Sequence, residues 1–279
     1  MSERITFWYG CNVLRHGDII HSCVDILRLL GFDARPAGGP DYCCGSAKDS
    51  NQTAADGMAH RTVSKFNALG RDRVVAWCPS CHSQMTDFMS QAYPADFSLG
   101  YFVDLLYEHR DRLSPLLKHA VPMRVLLHKH VGFNDKVRVN VKVAALLRLV
   151  PGVEVVEDAY LAPGYMCALL AAVPAAMQDM VKHTLQLAEI HRADALVTAF
   201  HQCYRELCGL EAQGLLSVFN YVHLLARSMG LPYQDEYKAW KKSGERAAEV
   251  IGAARLEPVG VQFFERAMLP ELKKRPLKR

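Results

Sequence analysis

The chain repeats one pattern of strands, loops and helices twice, and this internal duplication constrains its fold more than any other feature. Two tetrapeptides mark equivalent positions of the two repeats: Cys78-Pro79-Ser80-Cys81 and, 122 residues later, Phe200-His201-Gln202-Cys203. Each of them comes directly after an apolar strand pattern. The repeated unit has about 110 residues, whereas solenoid repeats have about 20 to 50. The sequence therefore predicts two paired domains, residues 1–118 and 119–232, and a charged C-terminal extension at 233–279.

Each half alternates strand patterns with helix patterns. Ile5 to Gly10 are β-branched or aromatic and predict a buried strand, and Asp18 to Leu30 place apolar residues at helical spacing. A Pro/Gly-rich loop is predicted from Pro36 to Pro40. This alternation predicts an α/β fold of two pseudo-symmetric repeats, each a small parallel sheet with flanking helices. A helical tail is predicted after them, with one helix from Asp235 to Ala254 and a frayed end.

Composition excludes several classes of protein. Half of the 279 residues are hydrophobic, so the chain can bury a core and is not disordered. A formal net charge of +4 is too small to indicate nucleic-acid binding. No apolar run reaches the roughly 18 to 20 residues of a membrane span, and the N-terminus lacks a signal pattern, so we expect a cytoplasmic protein. In that reducing compartment, nine cysteines favour metal or redox chemistry over disulfides.

Five cysteines of the first half stand where a strand ends or a loop opens: Cys11, Cys43, Cys44, Cys78 and Cys81. Loops that follow parallel strands share one edge of the sheet, so we expect these sulfurs to converge. Five thiolates are one more than a tetrahedral zinc or an ordinary cubane cluster requires, which favours an unusual iron–sulfur cluster. Taken alone, the Cys-Pro-Ser-Cys pair would also fit a structural zinc half-site or a redox pair. Cys23 and Cys208 are expected to be core residues.

The spacing of these five cysteines resembles the cysteine-rich CCG domain, found in the B-type subunits of heterodisulfide reductases and in related iron–sulfur proteins. The resemblance extends over both repeats, about residues 5 to 229. It implies that Cys11, Cys43, Cys44, Cys78 and Cys81 are the ligands of one noncubane 4Fe–4S cluster. In that family the cluster receives electrons one at a time and opens a disulfide bound at its iron.

The second half departs from the family pattern. His128-Lys129-His130-Val131 stands where the family often has a motif that ends in the first cysteine, and of five ligand positions only Cys167 and Cys203 keep a cysteine. A second noncubane cluster is therefore not expected. We take Cys167 and Cys203 as candidate catalytic residues, which act with His128, His130 or His201 as a substrate-handling pair or as a partial metal site. Alternatively, they are relics in a structural half.

The resemblance implies an oxidoreductase subunit that acts on sulfur groups and is active only in a complex. No nucleotide-binding fingerprint occurs in the sequence, so flavin and ferredoxin-type partner subunits are expected to supply electrons. A chain with only one complete cluster site most resembles the B-type subunits of the heterodisulfide reductase-like complexes of sulfur oxidisers. These subunits work with lipoate-binding proteins. Two alternatives stay open: a non-catalytic electron-transfer subunit, and a zinc-binding structural subunit of a multi-subunit oxidoreductase.

Overall fold

Two parallel four-stranded sheets form the framework of the computed structural model, which describes residues 2–45, 51–132 and 138–277. The first sheet has the order β2-β1-β3-β4 and the second the order β6-β5-β7-β8. The strands are β1 (Arg4–Gly10), β2 (Asp33–Gly38), β3 (Arg73–Ala76), β4 (Ser98–Tyr101), β5 (Met123–His128), β6 (Val153–Val156), β7 (Ala195–Thr198) and β8 (Ser217–Asn220). The same order in both sheets confirms the predicted α/β fold with two equivalent repeats.

Helices flank both sheets. In the first repeat they are α1 (Gly17–Leu29), α2 (Gln52–Leu69), α3 (Pro79–Gln84), α4 (Ser90–Ala92), α5 (Phe102–Glu108) and α6 (Arg110–Leu113). In the second repeat they are α7 (Val139–Leu147), α8 (Cys167–Leu170), α9 (Pro174–Ile190), α10 (His201–Leu207), α11 (Gly209–Ala212) and α12 (Tyr221–Ser228). The tail contains α13 (Glu236–Ser243), α14 (Ala247–Ile251), α15 (Ala253–Leu256), α16 (Val261–Phe263) and α17 (Leu269–Lys273).

Local sequence explains where the helices near the predicted site begin and end. The side chain of Asn51 accepts a hydrogen bond from the backbone N–H of Ala54 at 2.9 Å and so caps α2. This helix ends at Gly70, whose φ of +57° suits a left-handed cap. Cys78 caps α3, and Pro79 occupies the first position of that helix, where its missing N–H costs nothing.

The two repeats pack through equivalent helices. The first helix of each repeat lies against the helix that follows the last strand of the other, so that α1 packs on α12 and α7 packs on α5. Two polar contacts bridge these helices: the His223 Nε2 atom lies 2.8 Å from Asp18, and the Lys142 Nζ atom forms an ion pair with Asp104 at 2.6 Å. The interface therefore follows the same pseudo-twofold symmetry as the sheets.

The prediction of a loop from Pro36 to Pro40 is wrong for residues 36–38, because β2 extends from Asp33 to Gly38. Pro36 pairs with Phe7 inside this strand. Proline lacks the backbone N–H that a central strand needs, but β2 lies at the edge of its sheet and tolerates it.

The C-terminal extension is helical, as predicted, but it is neither one long helix nor frayed over its described part. Gly244 and Gly252, with φ of +57° and +84°, separate short helical segments. Phe264 and Leu272 are buried. The buried Lys241 Nζ donates a hydrogen bond to the carbonyl of Arg205 at 2.9 Å. The extension is thus packed onto the second repeat.

None of the helices in the described ranges combines the length and the apolar character that crossing a bilayer requires.

Truncating Phe264 tests whether the extension belongs to the folded core. Phe264 is 1% exposed whereas its neighbour Phe263 is 57% exposed. We expect Phe264→Ala to lower the free energy of unfolding by about 3 to 5 kcal/mol, because it leaves a cavity. Phe263→Ala, the matched control, should stay within about 0.5 kcal/mol of the parent protein. Chemical denaturation of the full chain measures both values, and equal effects would contradict the packing of the extension.

Candidate metal centres

The five cysteines of the first repeat follow three neighbouring strands. Cys11 comes directly after β1, Cys43 and Cys44 follow β2 and a short 3₁₀ turn, and Cys78 and Cys81 begin α3 after β3. Because β1 pairs in parallel with both β2 and β3, the three strands end at the same edge of the sheet. The parallel register therefore brings all five residues to this edge.

The thiols of these residues form one connected set. Side-chain interactions that shift the pKa values of the thiols link Cys11 to Cys43, Cys43 to Cys44, Cys44 to Cys81, and Cys81 to Cys78. Cys44, Cys78 and Cys81 are buried, whereas Cys11 and Cys43 are half-buried. The five thiols thus form a row of neighbours at this edge, with its outer end at Cys11 and Cys43, and their joint binding of one metal centre stays a prediction.

The start of α3 stabilises a negative charge on Cys78. Hydrogen bonds from the Cys81 thiol, from the backbone N–H groups of Cys81 and Ser80, and from the Ser80 side chain lower the pKa of Cys78 to about 7, although burial opposes this. The unpaired N–H groups of a helix N-terminus act in this way on an anion. Of the two cysteines at the start of α3, Cys78 is therefore the one that more readily becomes a thiolate.

The neighbouring thiols have the opposite tendency. A hydrogen bond with Cys43 raises the pKa of Cys44 to about 12, and hydrogen bonds with Cys44 and Cys78 raise that of Cys81 well above its usual value. The hydrogen bond with Cys43, followed by burial, raises the pKa of Cys11. Like charges so close together repel, so these thiols become thiolates together only if a cation compensates them. Such a set is chemically suited to metal ions.

Backbone features hold the sulfurs in place. Gly10 has a φ of +77°, and a Cβ atom there would lie 3.3 Å from the Cys81 Sγ atom. The Trp8 indole N–H donates a hydrogen bond to the carbonyl of Tyr42 at 2.9 Å, and the Thr62 hydroxyl donates one to the carbonyl of Cys43 at 2.8 Å. Sequence reasoning missed these roles, although a glycine directly before Cys11 was an available signal.

A cavity of about 280 Å³ adjoins this set. Cys44 and Gly45 form one end of it, and Phe88, Met89 and Tyr93 contribute to its wall. Phe88 is exposed, so the cavity opens at the surface.

The second repeat contains a separate cluster at the equivalent edge of its sheet. His128 ends β5 and His130 follows it, Cys167 begins α8, and Cys203 lies in the first turn of α10. One ligand atom from each residue lies within 4.8 Å of the others, and all four residues are buried. The structure therefore brings Cys167 and Cys203 together with His128 and His130.

Electrostatics in this cluster concentrates negative charge on Cys203. Burial alone would raise the pKa of Cys203, but the hydrogen bond with Cys167 and interactions with His130 and His128 lower it well below its usual value. Burial and the same hydrogen bond raise the pKa of Cys167. Burial lowers the pKa of His128. Burial also acts to lower the pKa of His130, but the interactions of His130 with Cys203 are stronger, so that its pKa is raised. Each group is thus tuned by its neighbours in the cluster.

No described hydrogen bond joins His201 to this cluster. Its Nδ1 atom accepts a hydrogen bond from the indole N–H of Trp77 at 3.0 Å, and burial lowers its pKa to about 3. Trp77 directly precedes Cys78, and His201 lies two residues before Cys203. This hydrogen bond connects the two candidate sites across the repeats. Sequence reasoning missed Trp77, whose only signal was an aromatic residue at a strand end.

The remaining cysteines lie in the hydrophobic core. Cys23 and Cys208 are buried, as predicted, and burial raises the pKa of both thiols. All nine cysteines lie in the described ranges, and no disulfide joins any of them there.

Comparison with known proteins supports the recognition of the first repeat. Residues 5–86 match the family model of the cysteine-rich domain, CCG. The matched segment contains all five cysteines of the first site, so the predicted CCG domain is confirmed there. No curated protein matches the chain.

One solved structure, a glycine-to-cysteine mutant of arylmalonate decarboxylase in a sulfate-associated form, aligns with 83% of this chain and 95% of its own. The sequence identity is 14% and the TM-score is 0.29, a likeness too weak to support an assignment of fold or function.

Substituting Gly10 tests how closely the first site is packed. Gly10→Ala and the control Gly214→Ala both place a side chain at positive φ, +77° and +67°, which costs about 1 to 2 kcal/mol. Only at Gly10 would the new methyl group crowd the Cys81 sulfur, because nothing lies within 4 Å of a Cβ at Gly214. We expect Gly10→Ala to lower the metal content per chain and Gly214→Ala to leave it unchanged. Equal metal content, measured by elemental analysis, would contradict the assignment of Cys81 to the site.

Proposed function

We propose that this protein is the iron–sulfur subunit of a cytoplasmic heterodisulfide reductase-like complex, and that its first repeat binds one noncubane 4Fe–4S cluster for thiol/disulfide redox chemistry. The observation that carries the proposal is the connected set of five thiols at one sheet edge. The match of this segment to the CCG cysteine-rich domain supports it.

The donor set fits such a cluster. Cys11, Cys43, Cys44, Cys78 and Cys81 would hold it, and thiolates are the ligands that iron–sulfur clusters prefer. Adjacent Cys43 and Cys44 would both hold the cluster, whereas two neighbouring cysteines do not comfortably bind one metal ion. Gly10 keeps the space beside Cys81 free of a side chain. Five donors exceed the four of a structural zinc site, which is why we favour iron.

When bound, the cluster would supply single-electron transfer and an iron that can bind a sulfur atom. The chain itself contributes the approach and the charge balance. The cavity beside Cys44 admits a small sulfur compound, and its apolar residues Phe88 and Met89 contact the carbon part of such a molecule. The N–H groups at the start of α3 stabilise the negative charge of the Cys78 thiolate.

Reduction of a disulfide consumes two electrons and two protons and yields two thiols. We propose that a flavin-containing partner subunit supplies the electrons through a ferredoxin-type subunit, and that the protons come from solvent. A lipoate-binding protein, which carries a dithiol that can form a disulfide, is the proposed source of the substrate. The opposite direction, thiol oxidation, uses the same groups with the partner as electron acceptor.

Removing single cysteines tests the cluster. We expect anaerobically purified protein to contain about four irons and about four sulfides per chain, and Cys44→Ser and Cys81→Ser to lose most of both together with the visible absorption. Cys23→Ser is the matched control, because Cys23 is equally buried but lies outside the thiol set. It should keep its iron and lose only some stability.

Three outcomes would contradict the proposal. Equal iron in all three variants would remove the ligand assignment. Zinc in place of iron at the first site would favour the structural alternative. An electron spin resonance signal that does not respond to added disulfide or dithiol would favour an electron-transfer subunit over one that acts on sulfur groups.

A further inference from the structure

We infer that the second repeat is itself a metal site, which binds one zinc ion in addition to the cluster proposed for the first repeat. Its four ligand atoms are His128 Nε2, His130 Nε2, Cys167 Sγ and Cys203 Sγ. Two imidazoles and two thiolates are a common ligand set of structural zinc. The inference rests on residues of the second repeat alone, so it stands independently of the proposed cluster.

Three of the ligand atoms lie at distances close to those of a tetrahedral zinc site, and the Cys203 Sγ atom lies within 4.8 Å of each of them. The two Nε2 atoms are 3.2 Å apart, and they lie 3.2 and 3.3 Å from the Cys167 Sγ atom. Zinc bonds of about 2.0 to 2.1 Å to nitrogen and about 2.3 Å to sulfur place two nitrogens about 3.3 Å apart and a nitrogen and a sulfur about 3.6 Å apart. The observed separations agree with these edges within a few tenths of an ångström. A single ion therefore fits between these three atoms after small shifts, and the Cys203 sulfur is near enough to be its fourth ligand.

The contact of His130 with the backbone determines which ring nitrogen faces the cluster. Its Nδ1 atom lies 3.1 Å from the carbonyl oxygen of Pro163, an acceptor, so Nδ1 carries the proton and donates it. In the neutral ring, Nε2 then presents a lone pair to the Cys167 sulfur and to the Nε2 atom of His128. Metal-bound histidines are oriented in this way by a partner on the other nitrogen.

Further contacts hold the ligands in place. The Asn140 side chain donates a hydrogen bond to the carbonyl of His130 at 3.1 Å, and the backbone N–H of Cys167 donates one to the Cys203 sulfur at 3.3 Å. An N–H group directed at a sulfur stabilises its thiolate form. The four ligands thus come from the end of β5, the start of α8 and the start of α10, and the ion would join these three elements.

Comparison of the two sheets shows why the second site differs from the first. Trp8 pairs with Ala76 in the first sheet, and His128 pairs with Thr198 in the second, 122 residues after Ala76. By this register, His130 occupies the position of Gly10. A Cβ at Gly10 would point at the Cys81 sulfur, and Cys203 is the equivalent of Cys81. The imidazole of His130 therefore fills the place that glycine leaves open in the first repeat.

The burial of all four ligands distinguishes a structural site from a catalytic one. A catalytic zinc keeps a position for water or substrate, whereas a structural zinc has four protein ligands. Here four ligands are present and none of the four residues is exposed. Cys167 and Cys203 accordingly take the metal-binding role, which the sequence left open beside that of a substrate-handling catalytic pair.

Metal analysis of the full chain tests this inference. After expression with zinc and iron available, we expect about one zinc per chain, which His130→Ala and Cys203→Ser each reduce to near zero. Cys208→Ser is the matched control, because Cys208 is an equally buried thiol outside the cluster, and it should keep the zinc. Replacement of zinc by Co²⁺ should give the intense visible bands of a tetrahedral site with thiolate ligands, and these bands should be absent from both ligand variants.

Two further variants separate this site from the first one and guard against misfolding. Cys81→Ser should lose iron but keep the zinc and the Co²⁺ bands, so failure of the cluster proposal leaves this test intact. His130→Cys should retain zinc, because a thiolate can replace the imidazole. Parent protein without zinc, zinc that survives both ligand variants, or zinc that is lost with Cys81→Ser and kept in Cys203→Ser would each overturn the inference.

Discussion

Parallel pairing of β1 with β2 and β3 is the constraint on which the first site depends. Trp8 lies opposite Ala37 on one side and Ala76 on the other, so the three strands leave the sheet at the same level. The residues that follow them, up to about 70 positions apart in the chain, are thereby placed side by side. A shift of one strand by a single residue would turn its side chains to the other face and separate the sulfurs.

The same constraint operates in the second sheet, but different residues use it. Where the first repeat places five thiols, the second places two thiols and two imidazoles at the equivalent edge. The duplication has therefore preserved the framework while changing the ligands. The proposed roles differ accordingly: the first site opens towards a cavity at Cys44, whereas the second is enclosed and would join the loops of its repeat.

Two hydrogen bonds cross the interface between the repeats close to both sites. Trp77, next to Cys78, donates a hydrogen bond to His201, and Arg205 reaches back to the side chain of Asn12, which follows Cys11, at 2.7 Å. Both donors and acceptors stand within a few residues of a candidate ligand.

The duplication, the α/β class and the five cysteines could be predicted from the chain's residues, since apolar periodicity and local motifs are properties of short segments. The edge strand β2 could not, because Pro36 opposes strand formation and only pairing with β1 overrides that preference. Only the tertiary structure determines which histidines lie beside Cys167 and Cys203. His128, His130 and His201 all stand near strand ends, but two of them turn towards the thiols and the third turns towards Trp77. Side-chain direction at a shared edge depends on the packing of both repeats, which no local pattern records.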